Sequence, residues 1–168
     1  MDLVQYRDPW LGEKFDEFVG FYPREFYCLD NFSSFGIIFE GNRYPTVEHA
    51  YQSLRFAGVA PEIEQSIRNA LSAHEAQKLA YANRDKQRPD FDSIKIALME
   101  KLLSAKLEQN PYVRKKLLQI PRSCEICEDS PYDSFWGIGK DRTGRNELGH
   151  LWMKLRKELL DSNESTLG

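Results

Sequence analysis

Cysteine and histidine are scarce in this chain of 168 residues, which has three of each. Cys28, Cys124 and Cys127 make an odd thiol count, which excludes a disulfide-stapled scaffold and fits reduced thiols. Cys124-Glu-Ile-Cys127 is formally a CxxC, but no second Cys or His pair stands at zinc-ligand spacing. Pro121 and Pro131 bracket it in a loop-like setting, whereas a redox pair would open a helix after a strand. His49, His74 and His150 lie far apart and form no HExxH, so no metal and no cofactor is expected. No apolar run approaches the ~18 residues of a membrane span. The start, Met1 to Pro9, lacks the basic region and apolar core of a secretory signal. Charge of one sign is also missing: 23 basic against 26 acidic side chains leave a net charge of −3. Sequence-independent duplex binding needs a broad basic surface, and that balance argues against it. The expectation is a soluble, cytoplasmic protein with no membrane partner.

What is present is an ordinary globular mixture, 41% hydrophobic and 29% charged, long enough to bury one core. Residues 1–20 read as an irregular or short helical arm, 21–160 as the domain and 161–168 as a tail. Glu25 to Phe32 and Phe35 to Tyr44 read as short strands, with a hairpin turn at Gly41-Asn42. Thr46 then caps a helix. Pro61 opens a second helix to about Leu71. Ser72-Ala-His-Glu75 is a capping box for a third, ending near Asn83. Asp90 or Asp92 caps a long helix in which Phe91, Ile94, Leu98, Leu102 and Ala105 recur at helical spacing. Pro111 starts another helix through Leu118. Residues 121–145 read as loops with one strand, and Asn146 caps a last helix through Leu160. The fold class is mainly α, an α+β chain with a small β-hairpin.

Three segments carry chemistry. In Tyr44 to Arg55, helical geometry sets Glu48, Gln52 and Arg55 on one face within about 60°. Such a stripe is either a solvated face with a Glu–Arg pair or a bonded cleft lining, because a buried unpaired charge is costly. Glu48 sits in the first helical turn, where the dipole favours the carboxylate form, suited to a base or to stabilising a cation. In Asp133 to Asn146, three glycines, Lys140, Arg142 and Arg145 lead into a helix N-terminus, a natural anion site. Trp136 there either stacks on a base or sugar or plugs the core. In Tyr27 to Phe32, Asn31 offers donor and acceptor groups, or simply makes an Asx turn. Lys106 reads as a dipole partner at its helix's C-terminal end.

Taken together and in order, these segments resemble the YbiA-like, or NADAR, family of N-glycosidases. The shared pattern is Leu29-Asp-Asn-Phe32, Tyr44 to Gln52, Ala105 to Asn110, the acids Glu128 and Asp133 before Trp136-Gly-Ile-Gly139, and Gly144 to Gly149. It covers about residues 21–160. The resemblance implies a compact helical domain that hydrolyses an N-glycosidic bond to a ribose. The substrates it implies are ribosylamino-pyrimidine phosphates of riboflavin synthesis or ADP-ribose attached to guanine, the latter free or in nucleic acid. It implies Glu48 and Asp133 as the catalytic carboxylates. Substrate contacts are implied for Asn31, Phe32, His49, Gln52, Arg55, Phe91, Lys106, Glu128, Trp136, Gly137, Gly139 and Asn146.

Two positions depart from that pattern. Relatives carry Lys at the place of Arg55, and a mechanism through a Schiff base of that amine with opened ribose has been proposed for the family. A guanidinium stays protonated and cannot form the adduct. The chain is therefore expected to hydrolyse directly, to use another amine such as Lys106, or to bind ADP-ribose without turnover. Phe91 stands where Trp is common, keeping an aromatic ring without the indole donor.

Overall fold

A computed structural model describes residues 18–20 and 25–167. Apart from 18–20, the expected arm lies outside the described residues. The described residues form two compact units, 31–110 in one and 18–20, 25–30 and 111–167 in the other.

Residues 31–110 start with the expected hairpin, β2 (Ile37–Phe39) and β3 (Asn42–Tyr44), paired antiparallel with Phe39 opposite Asn42. Its turn lies one residue earlier than expected, at Glu40 and Gly41, with φ of 48° and 81°. Asn42 already belongs to the ladder, and two left-handed residues match the twist of a two-residue hairpin. Thr46 caps α1 (Val47–Leu54) as expected, its side chain accepting from the His49 amide at 3.1 Å. All eight α1 residues are buried. Its neighbours are α2 (Pro61–Arg68), α3 (Ala73–Ala82) and α4 (Phe91–Gln109). Phe56, Ala60, Ile67, Ala76 and Ala80 form a core cluster in this unit. The alanines let helices approach, and burying Phe56 and Ile67 contributes roughly 1.5–3 kcal/mol each.

Several element ends differ from the sequence reading. The second helix stops at Arg68, short of Leu71. Ser72 accepts from the Glu75 amide, but the Glu75 carboxylate takes the amide of Leu71 rather than that of Ser72. Asp90 precedes α4, yet Arg88 holds its carboxylate at 2.6 and 2.8 Å, so it caps no amide. Along α4, Phe91 and Leu102 are buried with Met99, Leu103 and Lys106, while Ile94, Leu98 and Ala105 are half-buried. The Gln109 carboxamide donates to Ile38 O and accepts from Ile38 N, closing that edge of β2 as a neighbouring strand would.

In the other unit, β1 (Phe18–Gly20) pairs in parallel with β4 (Glu125–Cys127), so residues 18–20 are a strand and not a helical arm. Residues Tyr27–Leu29, expected within a strand, form a 3₁₀ turn. Phe26, Cys28 and Leu29 are buried and Tyr27 is exposed, a spacing that no two-residue alternation satisfies. Among the described residues its two α-helices are α5 (Pro111–Gln119) and α6 (Glu147–Thr166), the latter six residues longer than expected. Trp152 of α6 is fully buried and donates Nε1–H to Leu29 O at 2.9 Å. Burial pushes the Cys127 thiol up to about 12 and raises Cys124 as well. Thiols held protonated are poor nucleophiles, so the CxxC is unsuited to exchange. Among the described residues no helix is long and apolar enough to cross a membrane.

The Thr46 cap gives a first expected result. Thr46→Val should lower stability by about 1–2 kcal/mol, because the His49 amide and ring both lose their partner. Urea unfolding followed by circular dichroism measures it; an unchanged midpoint would mean the cap contributes nothing.

Candidate functional site

Residues 31–110 hold the polar stripe. The Glu48 side chain accepts from Gln52 Nε2 at 2.7 Å, and Gln52 Oε1 accepts from Arg55 Nε at 3.1 Å. Arg55 Nη1 donates on to Gln87 Oε1 at 2.9 Å. All three stripe residues are buried, so the solvated-face reading of the sequence is overturned. Helical spacing aligns them, and the relay satisfies polar atoms that burial would otherwise leave unpaired. The Arg55 guanidinium lies 4.4 Å from the Phe91 ring centroid and 5.6 Å from that of Tyr51. Its hydrogen-bond partners are neutral carboxamides, and among the described residues it has no carboxylate at ion-pair distance. Asn31 lies beside the start of this stripe, its carbonyl accepting from the Glu48 amide at 3.0 Å. Asn31 Nδ2 meets Met99 Sδ at 3.5 Å, and Oδ1, though buried, has no hydrogen-bond partner among the described residues. Phe32 is half-buried, edge-on to His74 at 4.8 Å.

Three residues expected at the substrate are committed elsewhere. His49 Nδ1 meets Thr46 Oγ1 at 2.8 Å and Nε2 meets Ala70 O at 3.0 Å. A carbonyl only accepts, so the proton sits on Nε2, and neither ring nitrogen is left for a ligand. Phe91 is fully buried, so its ring backs Arg55 instead of forming a wall. Lys106 is also fully buried and donates to Ser33 Oγ at 2.8 Å. It anchors the segment after Asn31 rather than serving a helix end, and its amine is sealed from solvent.

The other unit holds the glycine-rich loop. Asp133 Oδ1 accepts from the amides of Phe135 and Trp136 at 2.9 and 2.7 Å, and Trp136 is half-buried, edge-on to Phe135. Among the described residues of this unit the fully buried indole is that of Trp152, whereas Trp136 is half-buried and so is not the core plug. The expected anion site at the start of α6 is closed. The amides of Asn146, Glu147 and Leu148 donate to the carbonyls of Gly137, Phe135 and Trp136. Those donors are the ones an anion would need. Asn146 itself stands in the left-handed region (φ 51°), makes no side-chain cap, and bridges Glu128 N to Ile126 O. Both ends of its amide therefore hold the loop and are not aimed at a substrate. Arg145 is taken up by Glu147 and by the face of Phe135. Gly139 needs its glycine, with φ 70° and Ser134 close to where a Cβ would stand.

Glu128 is the perturbed group of this unit. It is buried, and Oε1 accepts from the Ser130 amide at 3.0 Å. Burial first, then the charge of Asp30, push its carboxyl up to about 8. The sequence flagged Glu128 by motif alone; its desolvation depends on Gly137, since a Cβ there would collide with Glu128 Oε2. Gln87, Ser33 and Asp30 were missed, because each partner of a candidate residue comes from a loop or turn without periodic signal.

The chain is similar to known proteins over most of its length. The NADAR domain model matches residues 9–160. The chain is 34% identical over 133 residues to an N-glycosidase of Nostoc punctiforme, with 79% of this chain and 85% of that protein covered. It is 38% identical over 125 residues to the riboflavin biosynthesis protein PYRR of Zea mays, with 70% of this chain but only 20% of that protein covered. The NMR structure of the E. coli protein YbiA superposes with a TM-score of 0.77 at 30% identity, covering 88% of each chain. Matched across nearly its whole length in both sequence and fold, the chain belongs to the NADAR family.

Proposed function

We propose that this protein is an N-glycosidase that cleaves the bond between a base and a phosphorylated ribose or ADP-ribose. The observation that carries the reading is the buried Glu48–Gln52–Arg55 relay. Cleavage of an N-glycoside passes through an oxocarbenium-like state, whose positive charge a fixed, desolvated carboxylate stabilises. Glu48 has that character: a first-turn position and an amide partner that orients it. It stabilises the developing cation and activates the attacking water. Asn31 Oδ1, without a hydrogen-bond partner among the described residues, supports a polar ligand edge near the start of α1. Asp133 Oδ1 is engaged by two amides, so any hold of this loop on a substrate hydroxyl falls to Oδ2. Trp136, half-buried in the same loop, is the candidate for contact with a base.

The test is incubation with a ribosylamino-pyrimidine phosphate and with ADP-ribosylated guanosine, free and in an oligonucleotide, following release of free base. Release from one of them supports the reading and names the substrate. Release from none at high enzyme concentration sinks it.

A second reading, a module that binds ADP-ribose without turnover, is favoured by Arg55, a buried cation with no carboxylate partner among the described residues. Such a cation suits a phosphate. Under this reading Arg55→Gln weakens ADP-ribose binding about tenfold or more by calorimetry. Equal affinity in the variant would exclude it.

A further inference from the structure

Glu128 connects four parts of the loop that carries Trp136. Its amide donates to Asn146 Oδ1 at 2.9 Å, and its carbonyl accepts from the Ile138 amide at 2.9 Å. Its Oε1 accepts from the Ser130 amide, and its Oε2 lies so near the Gly137 Cα that any Cβ would collide with it. Only glycine at 137 admits the carboxyl, and the carboxyl fills the space beneath the peptide that follows Trp136. Asp30 from the end of the 3₁₀ turn, and Asp129 and Asp133 from the loop itself, are the charged groups that act on it. The Asn146 carboxamide before α6 meets the Glu128 main-chain amide, and the Gly137 backbone is an uncharged neighbour of the carboxyl.

We propose that Glu128 is the positioning residue of this loop: its buried carboxyl, seated between the Ser130 amide and Gly137, holds the Trp136–Gly137 turn. Burial and three carboxylate neighbours favour the uncharged form there, pushing the group up to about 8, so the turn should loosen as that proton is lost. The sign follows from linkage. The unfolded chain releases this proton near the ordinary value of 4.5, the folded chain near 8. Between those values the folded state binds more protons, so stability falls as pH rises, and the loss is complete above about 8. Below 4.5 both states are protonated and the contribution is constant. An amide of the same shape cannot ionise, so Glu128→Gln removes the dependence.

The experiment is a titration from pH 5 to 10 of wild type and Glu128→Gln, with no ligand. Three readouts are followed: the melting temperature, the Trp136 indole resonance assigned through Trp136→Phe, and the carboxyl carbon resonances of ¹³C-glutamate-labelled wild type. Wild type is expected to melt at progressively lower temperature above pH 5, with the Trp136 resonance moving through a midpoint near 8. Glu128→Gln should hold a flatter melting temperature and a stationary Trp136 resonance. A wild-type Glu128 carboxyl that titrates in the ordinary carboxylate range overturns the proposal, whether or not the variant folds. So does a Trp136 midpoint that persists in the variant. A fourth arm rests on the glycosidase reading: cleavage by wild type should fall about tenfold per pH unit above 8, and a rate that stays level there counts against the proposal. If wild type cleaves nothing, that reading fails while the other three arms still decide the role of Glu128.

Discussion

On the proposed glycosidase reading, Glu48→Gln is expected to slow N-glycoside cleavage by about two to three orders of magnitude, the usual loss when one electrostatic stabiliser of a transition state is removed. The substitution keeps the shape of the side chain and an oxygen that still accepts from Gln52 Nε2. What it removes is the negative charge, whose effect grows as the anomeric carbon becomes cationic. The loss should therefore fall on kcat and leave KM nearly unchanged. Stability should move the other way or not at all, because an amide is cheaper to bury than a carboxylate and Glu48 is 4% exposed. Steady-state kinetics beside a melting curve separate the two effects. Equal kcat in wild type and variant would remove Glu48 from the chemistry. A variant that loses activity only in step with its fold would show a structural carboxylate instead.

The stripe around Glu48 was legible because its members share one helix. Positions 48, 52 and 55 project from the same face at helical spacing, so sequence alone places them together, and a helix buried on all sides forces them to bond one another. The Thr46 and Ser72 caps were legible for the same local reason. What failed was non-local. Gln87 reaches Arg55 across 32 positions, and Ser33 receives Lys106 across 73. No periodicity records either contact. At the start of α6, glycines beside basic residues suggested an open anion site, yet the same glycines let the loop fold back and fill the helix amides with its own carbonyls. Asn146 shows the related error: an N-cap residue by composition, it adopts a left-handed backbone and turns its side chain to Glu128 and Ile126. Tyr27–Leu29 has the aromatic and apolar content of a strand, but its burial follows a tighter turn.

Arg156→Ala is expected to cost about 3–5 kcal/mol of stability, the range for removing a buried charged group that holds several partners. Arg156 of α6 is 4% exposed, and its guanidinium donates to three main-chain carbonyls, those of Pro121, Arg122 and Cys124. No acid is among these partners, and burial lowers its pKa. The cation is thus held by peptide dipoles at the turn that leads into β4. Removing it leaves three carbonyls without their donor and opens a cavity beside Trp152 and Leu155, which α6 also buries. Lysine is not a rescue, because one ammonium cannot reproduce a planar fork that spans three carbonyls. Arg156→Lys should recover less than half of the loss. Chemical unfolding with a shared m-value measures both variants. The turn at residues 121–124 feeds β4, and β4 ends at Cys127, directly before Glu128. Hydrogen exchange in Arg156→Ala should therefore rise first across residues 121–128, ahead of α5. Uniform loss of protection throughout the chain would instead assign the guanidinium to global stability and not to this turn.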